Sequence, residues 1–113
     1  INDLATLRQH RPICDQAEVL VDAIFGTGLQ GPIREPVCGM MHELASWQRP
    51  TIAVDIPSGL DANTGEILGC ALPAFLTITF CLPKLGFLSG HGPRLTGEVA
   101  VVEISIPRDL WEK

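Results

Sequence analysis

Residues 17–36 read AEVLVDAIFGTGLQGPIREP, and this stretch decides the fold. Ala17 to Phe25 is mostly apolar and β-branched, lacks regular polar alternation and stops at Gly26, the pattern of a parallel strand buried on both faces. Gly26 to Arg34 is a Gly-rich loop, and Pro36 suits the first turn of a helix. Val37, Met40, Met41, Leu44, Ala45 and Trp47, set among His42, Glu43 and Gln48, give that helix an apolar stripe over about three turns. Pro50 ends it, and Thr51 to Ile56, TIAVDI, is a second buried strand. Strand, Gly-rich loop, helix, strand is a βαβ unit, whose crossover joins parallel neighbours, so the class is α/β with a mostly parallel sheet.

Outward from this unit the pattern continues more sparsely. Asn2 to Gln9, with Leu4 and Leu7 three apart, reads as a short helix. The segment PSGLDANTGE at 57–66 is rich in turn formers. A third strand is expected over Leu76 to Leu82, ending in Pro83, Lys84, Leu85 and Gly86, and a fourth over Glu98 to Ile106, ending at Pro107. A parallel sheet needs cover on both faces, and only one helix of useful length is visible. The 113 residues therefore read as a single, partial domain.

Composition narrows the function classes. Hydrophobic residues make up 46% and charged residues 19%, with a mean hydropathy of +0.26, which argues against disorder. Eight basic and thirteen acidic residues give a net charge of −5 with no Lys/Arg run, so binding to nucleic acid or to an anionic membrane is disfavoured. Ile67 to Pro83 carries no charge, but Gly69, Pro73 and the alternation of Thr77 and Thr79 with Ile78 and Phe80 suit a turn and a strand rather than a membrane span. Cys14, Cys38, Cys70 and Cys81 form no C-x-x-C pair, and scattered cysteines in apolar surroundings suggest reduced, buried thiols in a reducing compartment.

In open α/β sheets ligands bind beyond the carboxyl ends of the strands, and three strand ends here carry polar groups. Asp22 lies inside the first strand, ahead of Gly26, Thr27, Gly28, Leu29, Gln30, Gly31 and Pro32. These glycines either let backbone N–H groups approach a ligand or serve a tight connection. Asp55 lies near the end of the second strand and is followed by Ser58 and Asp61. An acid in an apolar strand needs a partner, which an Asx-turn or a ligand would supply; Asp61 reads as a turn residue. If the two strands are neighbours, Asp22 and Asp55 approach one region, and two carboxylates there imply either a cation, with Ser58 completing an oxygen shell, or one raised pKa suited to acid/base work. Lys84 reads as solvated rather than as a phosphate ligand, and His10, His42 and His91 as solvent-facing.

VDAIFGTGL at 21–29, AVDIPSGLDANTGE at 53–66, TITFCLPKLG at 77–86 and GEVAVVEISIP at 97–107, in this order and spacing, resemble the second half of the NAD(P)H-hydrate epimerase family, the YjeF N-terminal domain. The resemblance implies a Rossmann-like, three-layer αβα domain that interconverts the R and S forms of hydrated NADH or NADPH (NADHX and NADPHX), a step of nicotinamide nucleotide repair. It implies one potassium ion per subunit, held by Asp22 and Ser58, and substrate contacts from Gly26, Thr27, Gly28, Leu29, Gln30, Gly31, Pro32 and Asp55, with Asp55 the catalytic acid/base. The partners it implies are the dinucleotide substrate and either a second copy of the chain or a fused or associated dehydratase. A cytoplasmic location follows, with organellar forms left open. The Asn-Gly-Gly-Asp-Gly motif of the family, which supplies a further potassium ligand, is absent from these residues. The competing expectation is a non-catalytic Rossmann-like binding module acting through protein interaction.

Overall fold

The computed structural model describes residues 3–103. Four parallel strands, β1 (Leu20–Asp22), β2 (Thr51–Val54), β3 (Leu76–Phe80) and β4 (Glu98–Val102), form one sheet in the order β1-β2-β3-β4. Helices α1 (Leu4–Gln9) and α2 (Arg11–Cys14) precede β1, α3 (Val37–Ser46) joins β1 to β2, and α4 (Gly92–Thr96) joins β3 to β4. This is the α/β, parallel arrangement expected from the βαβ pattern. The opening helix starts at Leu4 because Asp3 caps it, its Oδ1 accepting the Thr6 N–H at 2.7 Å; Asn2 lies outside the described residues. Residues 104–106 of the expected fourth strand also lie outside them.

The strands are shorter than their apolar runs, and each ends for a local reason. After β1 the Asp22 carboxylate accepts the Ile24 N–H at 3.3 Å, an Asx-type turn that takes the chain out of the sheet. After β2, Asp55 adopts φ +70° and the Ile56 N–H returns to the Val54 carbonyl at 2.9 Å. β3 ends identically: Cys81 has φ +65° and the Leu82 N–H returns to the Phe80 carbonyl at 2.7 Å. Two adjacent strands thus close in matching three-residue turns, each placing a non-glycine residue in a sparsely populated conformation.

The register pairs Asp22 with Ala53 and Ala53 with Thr77, and the face carrying these residues with Thr51 and Thr79 is buried over β1 to β3, while Val99 and Val101 of β4 on the same face are exposed. Thr77 Oγ1 donates to the Thr96 carbonyl of α4 at 2.8 Å, which satisfies a hydroxyl that would otherwise be costly there. The opposite face presents Val21, Ile52, Val54, Leu76, Ile78, Phe80 and Val102, all half-buried or exposed, with Val21 64% exposed. The expectation of burial on both faces therefore fails for β1: among the described residues one face of the sheet is covered over β1 to β3, and the second outer layer of a three-layer domain is not among them. Ile67 to Pro83 contains a bridge at Ile67, a loop and β3, and no described helix is long and apolar enough to cross a membrane.

Two clusters form the core: Ile33, Cys38, Met41, Cys70 and Leu72 around α3, and Ile56, Leu60, Phe87 and Leu95 beneath the turn segment. The first corrects the cysteine reading. Cys38 and Cys70 are buried but joined in a disulfide, with Cα atoms 5.9 Å apart. Packing of α3 against the segment before β3 brings together residues 32 apart in sequence, so spacing gave no sign of the pair. Cys14 and Cys81 are free.

Candidate functional site

The carboxyl ends of β1, β2 and β3 deliver the polar groups, as the sheet rule requires. Asp22 is 2% exposed and bound at both oxygens by Ser58. Ser58 Oγ donates to Oδ1 at 2.6 Å and the Ser58 N–H to Oδ2 at 2.8 Å. Ser58 Oγ in turn accepts the Phe25 N–H at 3.0 Å, so the hydroxyl ties the start of the Gly-rich loop to the end of β1. A buried carboxylate with three N–H and O–H donors has the compensation that burial demands.

Asp55 belongs to a separate network. Its Oδ1 accepts from Thr79 Oγ1 at 3.1 Å and from the Phe80 N–H at 3.4 Å, and forms an ion pair with Lys84 Nζ at 3.0 Å. Lys84 is 19% exposed at its side chain, and its Nζ also donates to the carbonyls of Phe80 at 3.3 Å and Leu82 at 3.2 Å. The reading of Lys84 as solvated is therefore wrong. The strands of Asp22 and Asp55 are neighbours, yet the two carboxylates share no hydrogen-bond partner: Ser58 meets one and Lys84 the other. Thr79 and Lys84 are the participants that the sequence reading did not assign to the site. Their signal was present, since a strand Asp without an adjacent cation requires a counter-charge, and Lys84 follows the next strand end.

The loop Gly26, Thr27, Gly28, Leu29, Gln30, Gly31 and Pro32 is exposed apart from half-buried Leu29. A narrow cleft of about 70 Å³ runs between Gly26, Thr27 and Leu29 and the turn residues Leu60 to Asn63. Asp61 forms the expected turn, its Oδ1 accepting the Asn63 N–H at 2.8 Å and the Thr64 N–H at 3.0 Å, and these donors hold its carboxyl below the usual range. The loop glycines differ from those elsewhere. A Cβ on Gly59 would lie 1.8 Å from the Cys70 carbonyl oxygen and one on Gly86 2.1 Å from that of Asp61, whereas at Gly26 and Gly28 it would meet nothing within 4 Å. Neither Gly26 nor Gly28 has a positive φ. Packing among the described residues accounts for the first pair and not for the second. His10, His42 and His91 are exposed, as expected.

A parallel sheet with a Gly-rich βα loop and acidic strand ends places the chain in the open α/β class, whose members bind ligands beyond the carboxyl ends of the strands. The chain belongs to the family described as YjeF-related protein N-terminus, whose profile matches residues 2–86. It is 44% identical over 94 residues to the bifunctional NAD(P)H-hydrate repair enzyme Nnr of Moorella thermoacetica, covering 83% of this chain and 18% of that protein. It is 38% identical over 96 residues to an NAD(P)H-hydrate epimerase of Legionella pneumophila (strain Paris), covering 85% of this chain and 36% of that one. The crystal structure of yeast ynu0, YNL200c, superposes with a TM-score of 0.65 at 27% identity over 92% of this chain and 42% of that chain. The chain thus spans less than half the length of these relatives.

Proposed function

We propose that the protein containing this chain interconverts the R and S epimers of hydrated NADH and NADPH, with Asp55 moving the proton and the loop from Gly26 to Pro32 lying against the dinucleotide. The chain would form part of one epimerase domain. The observation that carries this reading is the contrast among the glycines: Gly26 and Gly28 are free of steric demand from the described residues, so close approach by a ligand is what accounts for the absence of a side chain there. Inverting a hydroxyl-bearing carbon opens and recloses one bond at that carbon while a proton leaves and returns, and a carboxylate at the end of β2 suits the proton's part. Asp55 has one oxygen, Oδ2, with no hydrogen-bond partner among the described residues.

The potassium expectation was tested against the donors present. Asp22 and Ser58 supply adjacent oxygens with remaining lone-pair capacity, the donor type a potassium ion takes in place of its hydration shell, so the donor set fits. The described residues contain no cluster of three or more acidic, His or Cys ligands, and further oxygens would have to complete the shell. Such an ion would steady the Asp22–Ser58 junction and through it the loop. We place this activity in the cytoplasm, beside a dehydratase that is fused in the bifunctional relatives; a homodimer is the other assembly expected.

The test uses the full-length protein. Given the R epimer of NADPHX, the parent equilibrates R and S, and Asp55→Asn slows this by ~10²-fold or more with unchanged circular dichroism. Equal rates in the two proteins would sink the assignment. Anomalous scattering from potassium-grown crystals tests the ion at Asp22 and Ser58.

A further inference from the structure

Resting on the assignment of proton transfer to Asp55, we propose that Lys84 is a positioning residue: it holds the Asp55 carboxylate by Oδ1 and so commits Oδ2 to the substrate. The contacts on this carboxylate are one-sided. Thr79 Oγ1, the Phe80 N–H and Lys84 Nζ all reach Oδ1, and among the described residues none reaches Oδ2. A carboxylate without such anchors turns about its terminal torsion and presents either oxygen, whereas one gripped at a single oxygen presents the other in a fixed direction.

Lys84 is itself held in place. An ammonium has three donors, and Nζ has three acceptors within reach: Asp55 Oδ1 at 3.0 Å, the Phe80 carbonyl at 3.3 Å and the Leu82 carbonyl at 3.2 Å. Two of its donors thus go to backbone carbonyls of the turn after β3, and its charge lies against the Asp55 carboxylate. The pair also sits on backbone that cannot drift freely. Asp55 occupies the turn that closes β2, with φ +70°, and the carbonyls that seat Lys84 flank Cys81 in the matching turn that closes β3. Side-chain exposures of 19% for Lys84 and 22% for Asp55 set this pair apart from the exposed ion pairs whose net contribution is near zero.

The experiment measures steady-state epimerisation of R-NADPHX by the full-length protein and its Lys84→Met, Lys84→Arg and Asp55→Asn variants. Lys84→Met is expected to lower kcat by ~10²-fold while KM stays within about threefold, because orientation and not binding is lost. Lys84→Arg, which returns a cationic donor to Oδ1, is expected to recover about tenfold of that loss. If Lys84→Met fails to fold, Lys84→Gln, which keeps a donor for the two carbonyls, takes its place with the same expectation. A parental kcat in the Lys84 variant beside an inactive Asp55→Asn overturns the positioning role and leaves Asp55 in place. A rise in KM of about tenfold with kcat retained makes Lys84 a substrate ligand and also overturns it. An active Asp55→Asn removes the underlying assignment itself.

Discussion

Ser58 binds Asp22 twice across a separation of 36 residues, its hydroxyl donating to Oδ1 at 2.6 Å and its own N–H to Oδ2 at 2.8 Å. One residue thus satisfies both oxygens of a buried carboxylate and, by accepting the Phe25 N–H, joins β1, the turn after β2 and the Gly-rich loop at one point.

Removing that hydroxyl leaves Asp22 Oδ1 short of its strongest donor and the Phe25 N–H without an acceptor. Ser58→Ala is expected to destabilise the protein by about 1–3 kcal/mol, read from matched urea unfolding curves with an unchanged m-value. An unchanged midpoint would show that water replaces both contacts at no cost.

The two groups of glycines make a paired prediction. Gly59→Ala places a methyl into the Cys70 carbonyl at a φ of +93° and is expected to cost more than about 3 kcal/mol or to prevent folding. Gly28→Ala meets open space and is expected to change stability by less than about 0.5 kcal/mol while weakening substrate binding, measured by melting curves with and without NADPHX. Equal losses of stability in the two variants would contradict the distinction.

The Cys38–Cys70 bond closes a loop of 32 residues, for which chain-entropy arguments give about 3–4 kcal/mol of stabilisation. Reduction, or the double change of Cys38 and Cys70 to Ser, is expected to lower the melting temperature in the oxidised protein. Since a cytoplasmic setting keeps thiols reduced, alkylation and mass analysis of protein taken directly from cells shows whether the two are bonded there.

Asp61 and Asp3 titrate below the usual carboxylate range, the first held by the Asn63 and Thr64 N–H groups and the second by the Thr6 N–H at the helix cap. A carboxyl lowered on folding stabilises the native state above the unfolded value and loses that contribution as pH falls through the folded one. Carbon-detected NMR titration is expected to show both carboxyls still ionised at a pH where a model peptide is half protonated. Asp61→Asn removes the acid-side loss at that position.

The strand order and the helix between β1 and β2 were legible because they rest on local pattern, the apolar runs around Val21, Ala53, Ile78 and Ala100 and the stripe of Met41 and Trp47, whereas the short helices α2 and α4 have too few turns to show a stripe. The gathering of Asp22, Ser58 and Asp55 at one sheet edge was legible too, since each ends or follows a strand. Illegible were the contacts that depend on backbone direction. The expected runs through Phe25, Ile56 and Leu82 continued past the true strand ends because hydropathy does not register a turn at Asp55 or Cys81. Those turns send Lys84 back to Asp55 and keep the two carboxylates on separate partners. Cys38 and Cys70 were missed for a related reason, as only tertiary packing makes them neighbours.

Sheet order follows chain order, each strand pairing with its predecessor. A ribosome releases the chain in that same direction, so every described strand can dock as it emerges, without waiting for a later one to be inserted beside it. Asp22, the loop at 26–32, Asp55, Ser58, Thr79 and Lys84 all precede Glu98, where β4 begins. During synthesis, the groups at the candidate site can therefore meet before the last described strand is made, and β4 then fixes the turn that seats Lys84, its Val102 carbonyl accepting the Cys81 N–H at 2.9 Å.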